Sequence, residues 1–239
     1  MIKLNIEHIA IVIPSYNESR NIQILISRIL HIIPKATIIV VDDSSGNEHR
    51  DTKNICAKYK KSVLYVSRNK KNGRGSAVLD GMKIILAQTT SKIIVEMDAD
   101  LAHNPKEIPR LCALIGRYDV VIGSRYMAGS RIIKWTWSRI IQSKIINFFL
   151  KYWLGLRLTD YTNGFRAYSR RACQYLISIP LREKGFIALS ESAYMLSKKG
   201  FRITEVPISF TDREYGKSNA DLEELFYSLF GVIKLRLYN

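Results

Sequence analysis

This chain has no paired or metal-spaced cysteines. Cys56, Cys112 and Cys173 are scattered and odd in number, which speaks against a disulfide framework and a cysteine-held zinc module. They read as core thiols of a reducing compartment. A secretory leader is not expected, because the chain runs almost directly into the strand-like Ile9-Ala10-Ile11-Val12-Ile13. There is no internal repeat, low-complexity linker or nucleic-acid module signature. Acidic residues are few, 21 against 37 lysines and arginines, for a net charge of +16. Such an excess attracts polyanions: nucleic acid, anionic lipid headgroups or phosphorylated substrates. With 47% hydrophobic and 24% charged residues, disorder is excluded.

What is present alternates in period. Ile9 to Ile13 predicts a strand, and Ile22, Leu25, Ile26, Ile29 and Leu30 recur at helical spacing. Further strands are expected at Ile38 to Val41, Val63 to Val66, Ile93 to Met97 and Asp119 to Ile122. Helices are expected between them near Asp51 to Lys60, Gly75 to Ala87 and Pro105 to Ile115. Strands alternating with crossover helices imply an α/β fold with a parallel, doubly wound sheet, and a single domain over 1–239.

The polar segments of this half follow the strands. They are Pro14-Ser15-Tyr16-Asn17-Glu18, Asp42-Asp43-Ser44-Ser45, Asp98-Ala99-Asp100 and Gly123-Ser124-Arg125-Tyr126. Strand carboxyl ends share one edge of a parallel sheet, so the four segments should meet in one crevice. An Asp-x-Asp pair there suits a hard divalent cation, which takes oxygen ligands and bridges to phosphate. Alone, the pair is equally well an acidic turn. For Pro14 and Asn17 simple turn chemistry is the alternative, and Asp43 in isolation serves equally well as a helix cap.

Together the four segments resemble the family 2 glycosyltransferases of the GT-A fold. Asp160-Tyr161-Thr162-Asn163-Gly164-Phe165-Arg166-Ala167-Tyr168, with Pro207-Ile208-Ser209-Phe210 leading to Arg213 and Gly216-Lys217-Ser218, is similar to dolichol-phosphate mannose synthases. The resemblance covers residues 8 to 219. It implies a mostly parallel central sheet with helices on both faces, and amphipathic interface helices in the C-terminal half. Residues 1–126 would form the nucleotide-sugar half and 127–239 the acceptor half.

The resemblance also implies roles. Pro14, Tyr16 and Glu18 would hold the base and ribose, with Val41 and Asp43 beside them. Asp98 and Ala99 would face the ribose or sugar, and Asp100 would hold Mg2+ or Mn2+ on the donor diphosphate. Where relatives often carry a metal-binding Gln, this chain has Ala102; His103 is the candidate replacement, with a helix cap as its other role. Arg125, Arg139 and Arg213 would clamp phosphate, since guanidinium matches it in a bidentate fork. Asn219 stands where relatives often carry Lys, and Lys217 is the candidate substitute. Asp98, Asp100, Arg125 and Arg213 are thus the catalytic candidates, and Arg125, Arg139, Arg213 and Lys217 those for the acceptor phosphate.

The implied reaction is metal-dependent inverting transfer of a hexose, with mannose from GDP-mannose favoured, to a polyprenyl (dolichyl) phosphate. That acceptor is already anionic and needs no general base. A saccharide acceptor, for example with a UDP-sugar donor, needs one, and Asp160 and Glu191 are the candidates. Glu191 also reads as an acid at the start of a helix. A non-catalytic polyanion-binding protein is the remote alternative, and a nucleic-acid partner is not expected.

Trp135 to Leu156 is rich in Trp, Phe, Ile and Leu but broken by Arg139, Lys144 and Lys151, which disfavours a spanning helix and favours one lying in a membrane interface. Leu222, Leu225, Phe226, Leu229, Val232, Ile233 and Leu237 form a second stripe. Packing on the sheet or on a partner subunit is the alternative for each; membrane contact is favoured for the first stripe, and the second leaves the two readings open. The expected location is cytoplasmic, peripheral on the cytosolic face of a membrane, through these helices or a membrane-anchoring subunit.

Overall fold

The computed structural model describes residues 9–68, 71–181, 185 and 187–213. The first half follows the expected alternation: β1 (Ile9–Ser15), α1 (Ser19–Ile32), β2 (Thr37–Asp42), α2 (Gly46–Lys58), β3 (Val63–Ser67), α3 (Arg74–Gln88), β4 (Ile93–Glu96). A 3-10 turn at Pro105–Glu107 leads into the short α4 (Ile108–Cys112). The single long helix expected over 105–115 is therefore a broken one: Asn104 caps the turn and Pro109 sits in the first turn of α4. β5 (Val120–Ser124), β6 (Arg131–Ile133), α5 (Trp137–Leu154), β7 (Arg166–Ser169), α6 (Arg170–Ser178), α7 (Ile187–Lys198), β8 (Ile203–Pro207) and β9 (Ser209–Thr211) complete it.

Seven strands form the main sheet in the order β3-β2-β1-β4-β7-β5-β8. All pairings are parallel except those of β7, which runs antiparallel between β4 and β5. Ile94 and Val120 both register with Tyr168. Two reversals restore direction, so β4 and β5 still end on the same edge. β6 and β9 pair as a small parallel ribbon beside it.

Both faces of the sheet are apolar, as buried parallel strands require. On β1, Ile9, Ile11 and Ile13 face the core under α1, α2 and α4, while Ala10 and Val12 face the core under α3, α5, α6 and α7. β2 divides likewise, Ile38 and Val40 one way, Ile39 and Val41 the other. α3 lies close on β1: a Cβ at Gly81 would come within 2.6 Å of Val12 Cγ1. That glycine is what lets the helix approach the strand so closely.

Candidate active site

The residues after β4 make the acidic floor of the crevice. Asp98 is bound from below by Arg74, whose Nε and Nη2 lie 2.7 Å and 2.6 Å from Asp98 Oδ1. Arg74 Nη1 donates to Glu96 Oε1 at 2.5 Å, and Glu96 Oε2 accepts from the Tyr168 hydroxyl at 2.8 Å. Burial pushes the Asp98 carboxyl up, but Arg74 above all, with Arg213 behind it, outweighs burial and holds the pKa below the usual range. Asp100 has the opposite balance. Its burial and the Asp98 charge raise its pKa. Its Oδ1 accepts from the Ala102 N–H at 3.1 Å, across a turn in which Leu101 takes a left-handed φ of 64°. Its Oδ2 lies 3.4 Å from Arg213 Nη2.

Asp100 thus presents a hard oxygen ligand whose charge its surroundings undercompensate, which suits a divalent cation. Among the described residues no cluster of three His, Cys, Asp or Glu could hold a metal unaided. An ion on Asp100 would therefore need further oxygens from the substrate or water.

His103 is not a candidate ligand. Its Nδ1 accepts from the Asp98 N–H at 3.2 Å, and its Nε2 bonds to Asn163 Oδ1 at 2.8 Å. That arrangement uses the one lone pair of a neutral imidazole and its one N–H. The ring is 1% exposed, stacked on Phe165 and edge-on to Phe210. Asn163 in turn donates to the Gly123 carbonyl. His103 is therefore a strut between the ends of β4 and β5, a role that neither ligation nor capping anticipates.

Arg125 is likewise tied down. Its Nε and Nη2 donate to Asp160 at 2.7 Å and 2.8 Å, its backbone N–H to the same carboxylate at 3.1 Å, and Nη2 also to Thr162 Oγ1 at 2.7 Å. The rings of Tyr126, Trp135 and Phe210 surround the guanidinium. Asp160 is fully buried, and Arg125 more than offsets that burial to lower its pKa. Asp160 is thus unsuited to act as a base, and Arg125 is neutralised rather than presented as a free phosphate clamp. Glu191 lies in the second turn of α7, buried, rather than at the helix start.

Toward the other side, Tyr16 and Glu18 stand on the loop from β1 to α1, with Asn17 at φ 58° and its N–H donated to Ser44 Oγ at 2.7 Å. Burial, with the charges of Asp100 and Asp98, pushes Glu18 up to about 7 against its bond from Asn21. Asp43 is held by Arg68 through two contacts of 2.5 Å and 2.6 Å and by the Asn72 N–H. The Val41 side chain is fully buried in the core under α3, so it does not line the crevice. Pro14 and Ala99 sit at the strand ends, half-buried and buried.

On the acceptor side, Arg139 in the first turn of α5 donates to Asp212 at 2.8 Å and lies 4.1 Å over the Trp135 ring. Asp212 also accepts the Arg213 N–H at 3.0 Å. A string Arg139, Asp212, Arg213, Asp100 therefore connects α5 to the acidic floor. α5 itself exposes Trp137, Ile141, Ile145, Phe148 and Tyr152, a continuous stripe at four- and three-residue steps. Lys217 and the stripe over 222–237 lie outside the described residues.

Sequence reasoning missed Arg74, Arg68, Asn163 and Asp212 as partners. One signal was available for Arg74. It opens α3 between Gly73 and Gly75, and a cation at a helix N-terminus opposes the helix dipole unless something else holds it there.

The model described as glycosyl transferase family 2 matches residues 10–177. The polyprenol monophosphomannose synthase of Mycolicibacterium smegmatis is 34% identical over 224 residues, 93% of this chain and 84% of its own. The undecaprenyl-phosphate mannosyltransferase of Micrococcus luteus is 34% identical over 207 residues, 87% and 85% of the two chains. In fold, the chain is similar to glucosyl-3-phosphoglycerate synthase from Mycobacterium tuberculosis, crystallised with Mn2+, UDP and glucosyl-3-phosphoglycerate. The TM-score is 0.66 at 22% identity, covering 97% of this chain and 79% of that one.

Proposed function

The chain belongs to glycosyl transferase family 2, and from that premise we propose that it transfers mannose from GDP-mannose to a polyprenyl phosphate at a membrane surface. It is a glycosyltransferase of the GT-A fold. The observation that carries the acceptor class is the state of the two base candidates. Asp160 is locked in a buried ion pair with Arg125, and Glu191 is buried within α7. An acceptor that needs deprotonation finds neither ready, whereas a phosphate monoester brings its own anionic oxygen. The names of the two mannosyltransferase relatives support the same reading.

In this reading the acceptor phosphate oxygen attacks the anomeric carbon, the bond to the nucleoside diphosphate breaks, and the configuration inverts. Pro14, Tyr16, Glu18 and Asp43 hold the nucleoside, and Asp98 with Ala99 faces the ribose or sugar. Asp100 is the protein ligand for Mg2+ or Mn2+, which when bound neutralises the charge growing on the leaving diphosphate. Arg139 and Arg213, with Lys217, gather the acceptor phosphate. Arg125 shapes that pocket through Asp160. Residues 1–126 serve the donor and 127–239 the acceptor within one domain.

No helix among the described residues is long and apolar enough to cross a membrane. The exposed stripe of α5, with Arg139, Lys144 and Lys151 beside it, has the composition of a helix lying in the headgroup region. We place the enzyme on the cytosolic face, attached through this helix with or without a membrane-anchoring subunit.

The test is incubation with membranes, Mn2+ and a panel of labelled nucleotide sugars, followed by extraction. Mannose label in the lipid phase, from GDP-mannose alone, is the expected result. Label in a soluble glycan, or from a UDP-sugar alone, overturns the reading.

A further inference from the structure

Arg74 reaches from the first turn of α3 into the space beneath the acidic pair, 13% exposed at its side chain. Three of its contacts converge on carboxylates: Nε and Nη2 on Asp98 Oδ1, Nη1 on Glu96 Oε1. The second Glu96 oxygen is taken by the Tyr168 hydroxyl, so Glu96 cannot turn away. The guanidinium passes directly over Gly164. A Cβ there would overlap Nη2 and come within 2.7 Å of Cζ. Gly164 needs no special φ; what it supplies is room for Arg74.

We propose that Arg74 is a positioning residue for sugar transfer, which fixes the Asp98 carboxylate and keeps it from serving as a metal ligand, and that Gly164 is the gap that admits it. The inference rests on the reading of Asp98 and Asp100 as the donor-side pair. Its physical basis is charge placement. A divalent ion on Asp98 Oδ1 would sit against a guanidinium already 2.6 Å from that oxygen. Oδ2 of Asp98 lies 3.9 Å from His103 Nε2, on the side of the strut. Asp100, beyond the Ala102 N–H on its Oδ1, meets Arg213 at the longer distance of 3.4 Å. Arg74 therefore divides two chemically identical residues, leaving Asp98 oriented toward the sugar and Asp100 toward the ion.

The test uses the full chain carrying Arg74→Ala, Arg74→Lys, Gly164→Ala, and Arg74→Ala with Gly164→Ala. Three quantities are read: Mn2+ binding in the presence of GDP, from loss of the free-ion EPR signal against a GDP-only control; kcat and donor KM with GDP-mannose and a short polyprenyl phosphate; and the thermal midpoint. Arg74→Ala is expected to lower kcat by about a hundredfold, the scale of a misplaced reacting group, with Mn2+ affinity equal to or above wild type. Arg74→Lys restores part of kcat. Gly164→Ala lowers kcat alone but adds nothing in the Arg74→Ala background, because neighbours acting through one contact are not additive.

Wild-type kcat in both single variants overturns the proposal. So does Mn2+ affinity falling in step with kcat, or an additive Gly164→Ala. If Arg74→Ala does not fold, Arg74→Lys and Gly164→Ala carry the same comparison. A wild-type protein that binds Mn2+ but transfers no mannose overturns the proposed function instead. The Mn2+ affinities of the variants then still decide the role of Arg74.

Discussion

The Arg125 guanidinium forks onto the Asp160 carboxylate, Nε 2.7 Å from Oδ2 and Nη2 2.8 Å from Oδ1, with Arg125 8% exposed and Asp160 not at all. The two residues are 35 positions apart, on the loop after β5 and the loop before β7. Removing one partner leaves a charge buried and unpaired. Asp160→Ala is therefore expected to destabilise the fold by about 3–5 kcal/mol in urea unfolding. Arg125→Met combined with Asp160→Leu should recover most of that loss, since two apolar groups leave no orphaned charge. The folded Asp160 pKa lies below its unfolded value. Its contribution is thus complete above the ordinary carboxylate range and is lost as the solution is acidified through the folded value. A double variant no more stable than Asp160→Ala would contradict this account.

Asp100 and Asp98 should respond in opposite ways to the same change. Burial and Asp98 disfavour the Asp100 charge, so Asp100→Asn should unfold at or above the wild-type midpoint in EDTA. Its transfer rate should fall by about a hundredfold or more, with the Mn2+ response gone. Asp98→Asn takes a charged acceptor from the Arg74 fork and should destabilise by about 1–3 kcal/mol. Thermal scans paired with lipid-phase transfer assays distinguish the two.

The stripe on α5 predicts vesicle binding. Phe148 and Ile145 are each 63% exposed, and burying one such side chain is worth about 1.5–3 kcal/mol. Phe148→Asp should weaken cosedimentation with phosphatidylglycerol vesicles roughly tenfold or more, and Ile145→Asp likewise. GDP-mannose affinity in solution should be unchanged. Loss of nucleotide binding with vesicle binding would mean that α5 supports the core rather than the membrane.

Glu18 supplies a pH signature. Its folded pKa of about 7 exceeds the unfolded value of 4.5. The folded protein then binds the extra proton between those values, so stability from this group is complete below about 4.5 and declines until pH passes about 7. In EDTA, Glu18→Gln should show a flatter decline in urea midpoint between those pH values than wild type. Parallel slopes for the two proteins would rule the titration out.

Most of the donor edge was legible from local pattern. Strand periodicity, with polar segments after each strand, anticipated that the segments carrying Glu18, Asp43, Asp98 and Arg125 follow strands ending on one sheet edge, because parallel connectivity sends all those ends the same way. Val41, set beside the nucleoside by the family resemblance, turns its side chain the other way: adjacent strand residues point to opposite faces, and the residue before Asp42 faces the α3 core. β7 escaped the pattern because a four-residue antiparallel strand has too few residues to display a period. Its insertion does not move the edge, since the second reversal at β5 restores the direction.

By itself, the amino-acid sequence determined the α/β alternation, the acidic pair at the end of β4, the basic excess and the amphipathic α5. These are properties of residue type and spacing along one segment. Only the tertiary structure decided which charges cancel. Asp160 is taken by Arg125, Asp43 by Arg68 and Asp98 by Arg74 across 24 to 35 positions, while His103 has both ring nitrogens occupied. A side chain's charge is written in the sequence, but its availability depends on partners within about 3 Å, and those are chosen by how the loops pack over the sheet edge.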